Sequence, residues 1–336
     1  MSFGQLEEMS RQCADVVPLL RRNKAFLESA VQRVAQTLPV GRGLIVLAGS
    51  GDSAGLAAQV ALRRGGVLGG WWPAGPHELA GIDSSDCSLI VAISASGGNP
   101  PLADGVRSAA MRGVPTVAVS CRADSSVVRA ADRALITDLG QLRPAPAVTT
   151  YLLGLVALDA LAAALRPTTV SRLLDDRTEL PDLQRATETL VGRLAGRRDI
   201  IVVAPWASLP SAGYLAAKLV EVVGVRAHTV RGDDWIHVHR FATDSREPVL
   251  VWAPVPDDGA ELTALADRLI RPEFSCIGVT PANDPTPWPV RVPVNPGSQP
   301  EIVSSVLAAR VALELGLRAG REPFSGPAAT AGIGEP

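Results

Sequence analysis

A chain of 336 residues with 47% hydrophobic content can build two domains of average size around ample cores. Its 32 Lys and Arg against 34 Asp and Glu leave a formal charge of −2, and no basic run marks a nucleic-acid partner, so any anion chemistry has to be local. The N-terminus, Met1-Ser-Phe-Gly-Gln-Leu-Glu-Glu8, is polar and acidic rather than signal-like, and no apolar run approaches the roughly 18 residues of a membrane span. Cys13, Cys87, Cys121 and Cys276 are scattered without metal-ligand spacing. The expectation is a cytoplasmic protein with free buried thiols, no membrane segment, no metal and no cofactor. Lysine occurs only at Lys24 and Lys218, which leaves few candidates for Schiff-base chemistry.

In chain order, Leu6 to about Leu38 carries apolar residues at helical spacing (Val16, Leu20, Leu27, Val31) and predicts one or two helices before the first strand. Leu44-Ile-Val-Leu-Ala48 is a short apolar run that breaks into Gly49-Ser-Gly-Asp-Ser53 and then a helix to Arg64. Val67 to Trp72 reads as a short strand, Pro76 to Ala80 as a turn or short helix, and Cys87 to Ile93 as the next strand. That strand opens into a second small-residue loop, Ser94-Ala-Ser-Gly-Gly-Asn99. A helix from Pro101 to Arg112 ends at Gly113, and a strand follows from Pro115. Short alternation of strand and helix predicts a doubly wound parallel sheet with ligands beyond the strand C-termini. Ala145 to Leu165 is predicted as a long, nearly uncharged helix that needs cover from another lobe or subunit.

The second half repeats the first. Asp199-Ile-Ile-Val-Val-Ala-Pro matches the Leu44 strand, Pro248-Val-Leu-Val-Trp-Ala-Pro the Leu89 strand, and Phe274-Ser-Cys-Ile-Gly-Val-Thr the Val114 strand. The expected organisation is N-terminal helices over 1–40, a first domain over 41–166, a linker with a helix over 167–196, a second domain over 197–320 and a flexible tail over 321–336.

Both Gly/Ser loops should open on one sheet edge, where hydroxyls of Ser50, Ser53, Ser94 and Ser96, with N–H groups exposed by Gly49, Gly51, Gly97 and Gly98, would surround a phosphate. In the second half, Glu221 lies among valines near the end of a helix. Burial there would make it a carbon-acid base, and the alternative is a surface carboxylate paired with Lys218. Three of the four histidines fall between His228 and His239, a cluster open to acid–base, structural or metal roles.

Ala48-Gly-Ser-Gly-Asp-Ser-Ala54 and Ser94-Ala-Ser-Gly-Gly-Asn99 resemble the two phosphate loops of the sugar isomerase (SIS) domain family, whose second loop usually runs Ser-x-Ser-Gly-x-Thr. Asn99 replaces the Thr. Glu221 and Asp234-Trp-Ile-His237 resemble the second domain of the bifunctional phosphoglucose/phosphomannose isomerases and of the isomerase half of glucosamine-6-phosphate synthase. There a helix Glu precedes a Glu-x-x-His at this spacing of 16 residues. The resemblance implies two tandem flavodoxin-like SIS domains of the α/β class with an N-terminal helical segment. It implies phosphate binding by Gly49, Ser50, Ser53, Ser94, Ser96 and Asn99, with Arg143 flanking the substrate. It further implies that Glu221 moves a proton between C1 and C2 while His237, from the neighbouring subunit of a homodimer with a shared active site, opens the sugar ring. The family's C-terminal lysine has no counterpart after Lys218; Arg318 or Arg321 could supply the charge but not the amine. The implied function is aldose–ketose isomerisation of a hexose 6-phosphate. A non-catalytic sugar-phosphate regulator and an aminating or deaminating enzyme are the alternatives.

Overall fold

In the computed structural model, which describes residues 4–38, 41, 43–83, 85–137, 145–165, 180–243, 247–256, 259–271, 274–295, 297 and 299–325, the alternation resolves into two five-stranded parallel sheets. By their described residues, one compact unit holds 15–137 and 149–165, and the other holds 4–14, 145–148 and 180–325.

The N-terminal segment is one helix, α1 (Gly4–Ala35), with Pro18 inside it. The first sheet follows through β1 (Leu44–Ala48), α2 (Asp52–Arg63), β2 (Trp71–Ala74), β3 (Cys87–Ile93), α3 (Pro100–Met111), β4 (Thr116–Ser120), α4 (Ser126–Ala130) and β5 (Arg133–Ile136). Its strand order is β2-β1-β3-β4-β5, so the chain reverses direction across the sheet between β1 and β3. Ile45 to Ala48 lie in register with Leu89 to Ala92, and all eight residues are buried. Unbroken Val, Ile, Leu and Ala runs of this kind are what a parallel sheet covered on both faces requires.

Two boundaries differ from the sequence reading. The strand anticipated from Val67 starts at Trp71, because Gly66–Gly69 forms a 3-10 turn and Gly65, Gly66 and Gly70 all have positive φ, which a strand cannot accommodate. The apolar helix anticipated from Ala145 is α5 (Thr149–Leu165). Ala145 precedes Pro146, and a residue before proline is driven out of the helical region. Nor does α5 need a second subunit to cover it: Tyr151 to Leu158 are buried within this chain. Within its unit α5 meets α2, where Tyr151 donates to Gln59 Oε1 at 3.0 Å and Arg64 Nη2 binds Asp159 Oδ1 at 2.9 Å. A Cβ added at Gly154 would stand 2.9 Å from Leu56 Cδ1, so glycine sets that helix–helix approach.

The second unit runs α6 (Gln184–Leu194), β6 (Asp199–Ala204), α7 (Leu209–Lys218), β7 (Arg226–Arg231), α8 (Gly232–His237), β8 (Pro248–Trp252), α9 (Gly259–Leu269), β9 (Ser275–Pro281), β10 (Val290–Val294) and α10 (Pro300–Ala319). The order β10-β9-β8-β6-β7 is the topology of the first sheet repeated, with β6, β8 and β9 in the places of β1, β3 and β4. Among the described residues no helix is long and apolar enough to cross a membrane.

All four cysteines are free. Burial pushes the thiols of Cys13 and Cys276 up to about 12, against a small opposing pull from Arg310 at Cys13. Burial also raises Cys87. Cys121 is half-buried, its sulfur 3.4 Å from Thr137 Oγ1. Thiolate availability controls alkylation, so iodoacetamide at pH 8 should label the native protein at Cys121 and reach the other three only after denaturation, as read by peptide mass spectrometry.

Candidate functional site

Each unit contributes one cluster, at the C-terminal ends of the first unit's strands and after α7 in the second. In the first unit, β1 delivers Gly49, Ser50 and Gly51 to the start of α2, and β3 delivers Ser94 to Asn99 to the start of α3. Gly49 is irreplaceable by size, since a Cβ there would fall 2.7 Å from Ser53 Cβ. Gly51 has φ 56° and ψ −128°, a conformation that suits only glycine. Gly97, at φ +65°, packs so closely that a Cβ would lie 2.0 Å from Ser125 Oγ.

The hydrogen bonds correct one expectation. The N–H groups of Gly49, Gly97 and Gly98 are not left for an anion: they donate to Ala74 O (3.3 Å), Ser94 Oγ (3.1 Å) and Ser96 Oγ (3.3 Å). Backbone donors in such loops find protein partners, within the turn at Gly97 and Gly98 and on the neighbouring strand at Gly49. The start of α3 offers little more, because Pro100 and Pro101 have no N–H and Leu102 N donates to Asn99 Oδ1 at 3.0 Å.

What the loops present is hydroxyls. Asn99 caps α3 with its carbonyl oxygen and donates Nδ2 to Ser50 Oγ at 3.0 Å, tying the second loop to the first. Because Ser50 Oγ and Ser96 Oγ both act as acceptors within the loops, their hydroxyl protons remain for a ligand, and both residues are exposed. Ser94 is buried, its oxygen turned to its own loop; Ser53 is half-buried on the first turn of α2. Arg143 lies outside the described residues.

In the second unit, α7 passes at Leu219 into a π-turn, Leu219–Val223, closed by Gly224 in the left-handed region at φ 73°. Glu221 sits at the centre of this turn. Lys218 is 0% exposed and its ammonium pairs with the Glu221 carboxylate, whose side chain is 28% exposed. The same ammonium lies 5.2 Å from the Tyr214 ring centroid. A buried ammonium without a partner would cost several kcal/mol, so the pair with Lys218 restrains the Glu221 side chain. The alternative of a surface pair is therefore only half right: the carboxylate reaches solvent and the lysine does not.

The π-turn is backed by the end of the chain. Phe324 N donates to Glu221 O at 2.8 Å, and Arg321 Nη1 donates to Val223 O at 3.1 Å. Among the described residues Phe324 is the one non-glycine with positive φ, at 57°, a conformation that costs roughly 1–3 kcal/mol and persists only where the surroundings impose it. The segment expected as a flexible tail thus begins with bonds to the Glu221 turn; residues 326–336 lie outside the described residues.

His237 ends α8 and is exposed, as are Asp234, His228 and His239. Among the described residues no group of three or more His, Cys, Asp and Glu is arranged to hold a metal ion. Sequence reasoning passed over the burial of Lys218. Its signal was there: one of only two lysines in the chain, set in the apolar run Tyr214-Leu-Ala-Ala-Lys-Leu-Val220.

Two parallel sheets of one repeated order, with flanking helices and paired Gly/Ser loops in the first, define an α/β protein of the SIS-like fold. Residues 77–164 match the family model described as SIS domain, a span that takes in the second Gly/Ser loop and stops short of the first. No curated relative matches the sequence. Among solved structures, a glucosamine-6-phosphate deaminase from Thermotoga maritima superposes with TM-score 0.72 at 14% identity, over 95% of this chain and 97% of its own. The C-terminal domain of glucosamine-fructose-6-phosphate aminotransferase from Francisella tularensis gives 0.71 at 15% identity, over 94% and 97%. Tagatose-6-phosphate ketose/aldose isomerase from Escherichia coli gives 0.69 at 15% identity, over 95% and 94%. At these identities the likeness is one of fold.

Asn99 carries two tasks that substitution separates. Asn99→Ala should lower the unfolding free energy by about 1 kcal/mol through loss of the α3 cap, whereas Asn99→Asp keeps a capping oxygen and should stay within a few tenths of native in urea denaturation.

Proposed function

We propose that this chain is a sugar-phosphate aldose–ketose isomerase of the hexose 6-phosphate class, working through a Glu base and a cis-enediol intermediate. The observation that carries the reading is the Lys218–Glu221 pair. A fully buried ammonium paired with a half-exposed carboxylate at a π-turn is costly for stability and useful for positioning a base, and π-turns recur at functional sites. Three structural neighbours named for sugar 6-phosphates agree with the substrate class.

In this reading the first domain (41–166) takes the phosphate through the hydroxyls of Ser50 and Ser96. Ser94, Ser53, Gly49 and Asn99 hold those loops in shape, and Arg143 flanks the sugar. Glu221, in the second domain (197–320), removes the proton from one of C1 and C2 and returns it to the other, so the sugar is rearranged with no net gain or loss of protons. Lys218 holds the carboxylate in place. His237 of a neighbouring chain assists ring opening, in the manner of the phosphoglucose/phosphomannose isomerases and of the isomerase half of glucosamine-6-phosphate synthase. Its exposure, with that of Val238 and Phe241 beside it, suits a residue meant for a partner in a cytoplasmic homodimer.

Incubation with hexose 6-phosphates in deuterated water, followed by NMR, tests the chemistry. The native protein should exchange the proton at C1 or C2, and Glu221→Gln should slow exchange by about two to four orders of magnitude with sugar-phosphate affinity kept. Exchange at the native rate in Glu221→Gln would remove Glu221 from the mechanism. Deamination is the second reading, favoured by the Thermotoga neighbour; ammonia released from glucosamine 6-phosphate without C1–C2 exchange on fructose 6-phosphate would select it. Light scattering at micromolar concentration should return the mass of two chains, and the mass of one would deny His237 its role.

A further inference from the structure

We propose that the segment Arg321–Ser325 is a positioning clamp for Glu221, fixing the π-turn from which the carboxylate acts. The inference rests on the isomerase reading above and adds to it the device that aims the base.

A helix end leaves its last carbonyls without partners, and a π-turn is a rare departure from regular helix that its surroundings have to support. Here the carbonyls divide between two sources. Those of Leu219 and Val220 accept from Gly224 N at 3.0 and 3.1 Å, a bond made within the turn itself. Those of Glu221 and Val223 accept from Phe324 N and Arg321 Nη1, at 2.8 and 3.1 Å. The backbone oxygen of the proposed base is therefore held by a residue far along the chain.

The clamp is itself braced. Arg321 Nε donates to Ser325 Oγ at 3.0 Å, so one planar guanidinium spans the clamp's own turn and the turn it holds. The fit around Gly224 is closed: a Cβ there would fall 0.9 Å from Arg321 Nη1. Gly316 adds a second contact, since a Cβ at that position would lie 2.7 Å from Val222 Cγ1. Phe324 accepts a φ of 57°, and its N–H meets the Glu221 carbonyl. An uncommon backbone conformation persists only where its surroundings over-determine it, and this bond is part of those surroundings. The guanidinium also brings positive charge to the negative end of the helix.

If the clamp is released, the π-turn relaxes and the carboxylate direction changes by an angle on the order of tens of degrees, with a displacement of about 1 Å or more. Misplacement of that size costs about 10²-fold in rate. Substrate binding, assigned to the first unit's hydroxyls, is left alone.

The experiment measures kcat and KM for proton exchange on fructose 6-phosphate in deuterated water. Arg321→Ala should lower kcat by about 10²-fold with KM within about three-fold of native, and Arg321→Lys should recover part of the loss by restoring a cationic donor to Val223 O. In a Glu221→Gln background Arg321→Ala should cause no further loss, because no base remains to be aimed. Should Arg321→Ala fail to fold by circular dichroism, the pair at Phe324 decides. Phe324→Pro removes the N–H and cannot adopt the positive φ, so its kcat should fall, while Phe324→Gly keeps the donor and rescues the rate to within a few-fold of native. Native kcat in Arg321→Ala, or a loss confined to KM, overturns the clamp and leaves the isomerase reading standing. Absence of exchange in the native protein overturns that reading and the clamp with it.

Discussion

Each sheet is governed by a reversal of winding: the chain lays down one strand, crosses to a neighbour, then returns past its start and continues the other way. In the first unit this sets β1 beside β3, in the second β6 beside β8. Loops leaving such adjacent strands turn to different sides, and the edge there opens into a crevice. Everything chemical in the first unit follows from that geometry. Ser50 and Asn99, 49 positions apart, meet because their strands are paired, and the Asn99 amide bridges the gap.

The repeat preserves this architecture while changing its contents. Trp206 stands two residues past β6 as Ser50 does past β1, and its N–H is taken by Glu261 Oε2 of α9 at 2.8 Å. A polar link at this place occurs in both units, but in the second a carboxylate on α9 makes it. A negative side chain at that point disfavours a phosphate there by like-charge repulsion. The second unit carries its charged pair elsewhere, at the end of α7, where the helix changes pitch. One topology thus carries two different sets of polar groups, because the loops and helix ends are free to vary where the strands are not.

The cost of the second unit's arrangement is concentrated in Lys218. A long cationic side chain without solvent contact has to be matched, and the Glu221 carboxylate takes part in that match. Burial of the ammonium beside the Tyr214 ring, the π-turn and the left-handed Gly224 form one local structure, whose free carbonyls are closed by the end of the chain. Groups held this firmly lose conformational freedom they would otherwise keep.

The sequence by itself determined the strands, their doubling and the small-residue loops, because these depend on local facts: unbroken apolar runs such as Leu44–Ala48 and Pro248–Trp252, and glycines where the backbone must turn sharply. The resemblance to the SIS family pointed to Glu221 and His237, and the sequence reading mistook the start of β2 and of α5 where glycines and a proline overrode apolar composition. Only the tertiary structure decided which loop N–H groups were already spent, that Lys218 is buried, and that Arg321 and Phe324 return to cap the turn of Glu221. Each of these is a pairing between groups distant in sequence or a burial set by neighbouring elements. Residue type names a donor, an acceptor or a charge, whereas its partner is fixed only when the chain closes on itself.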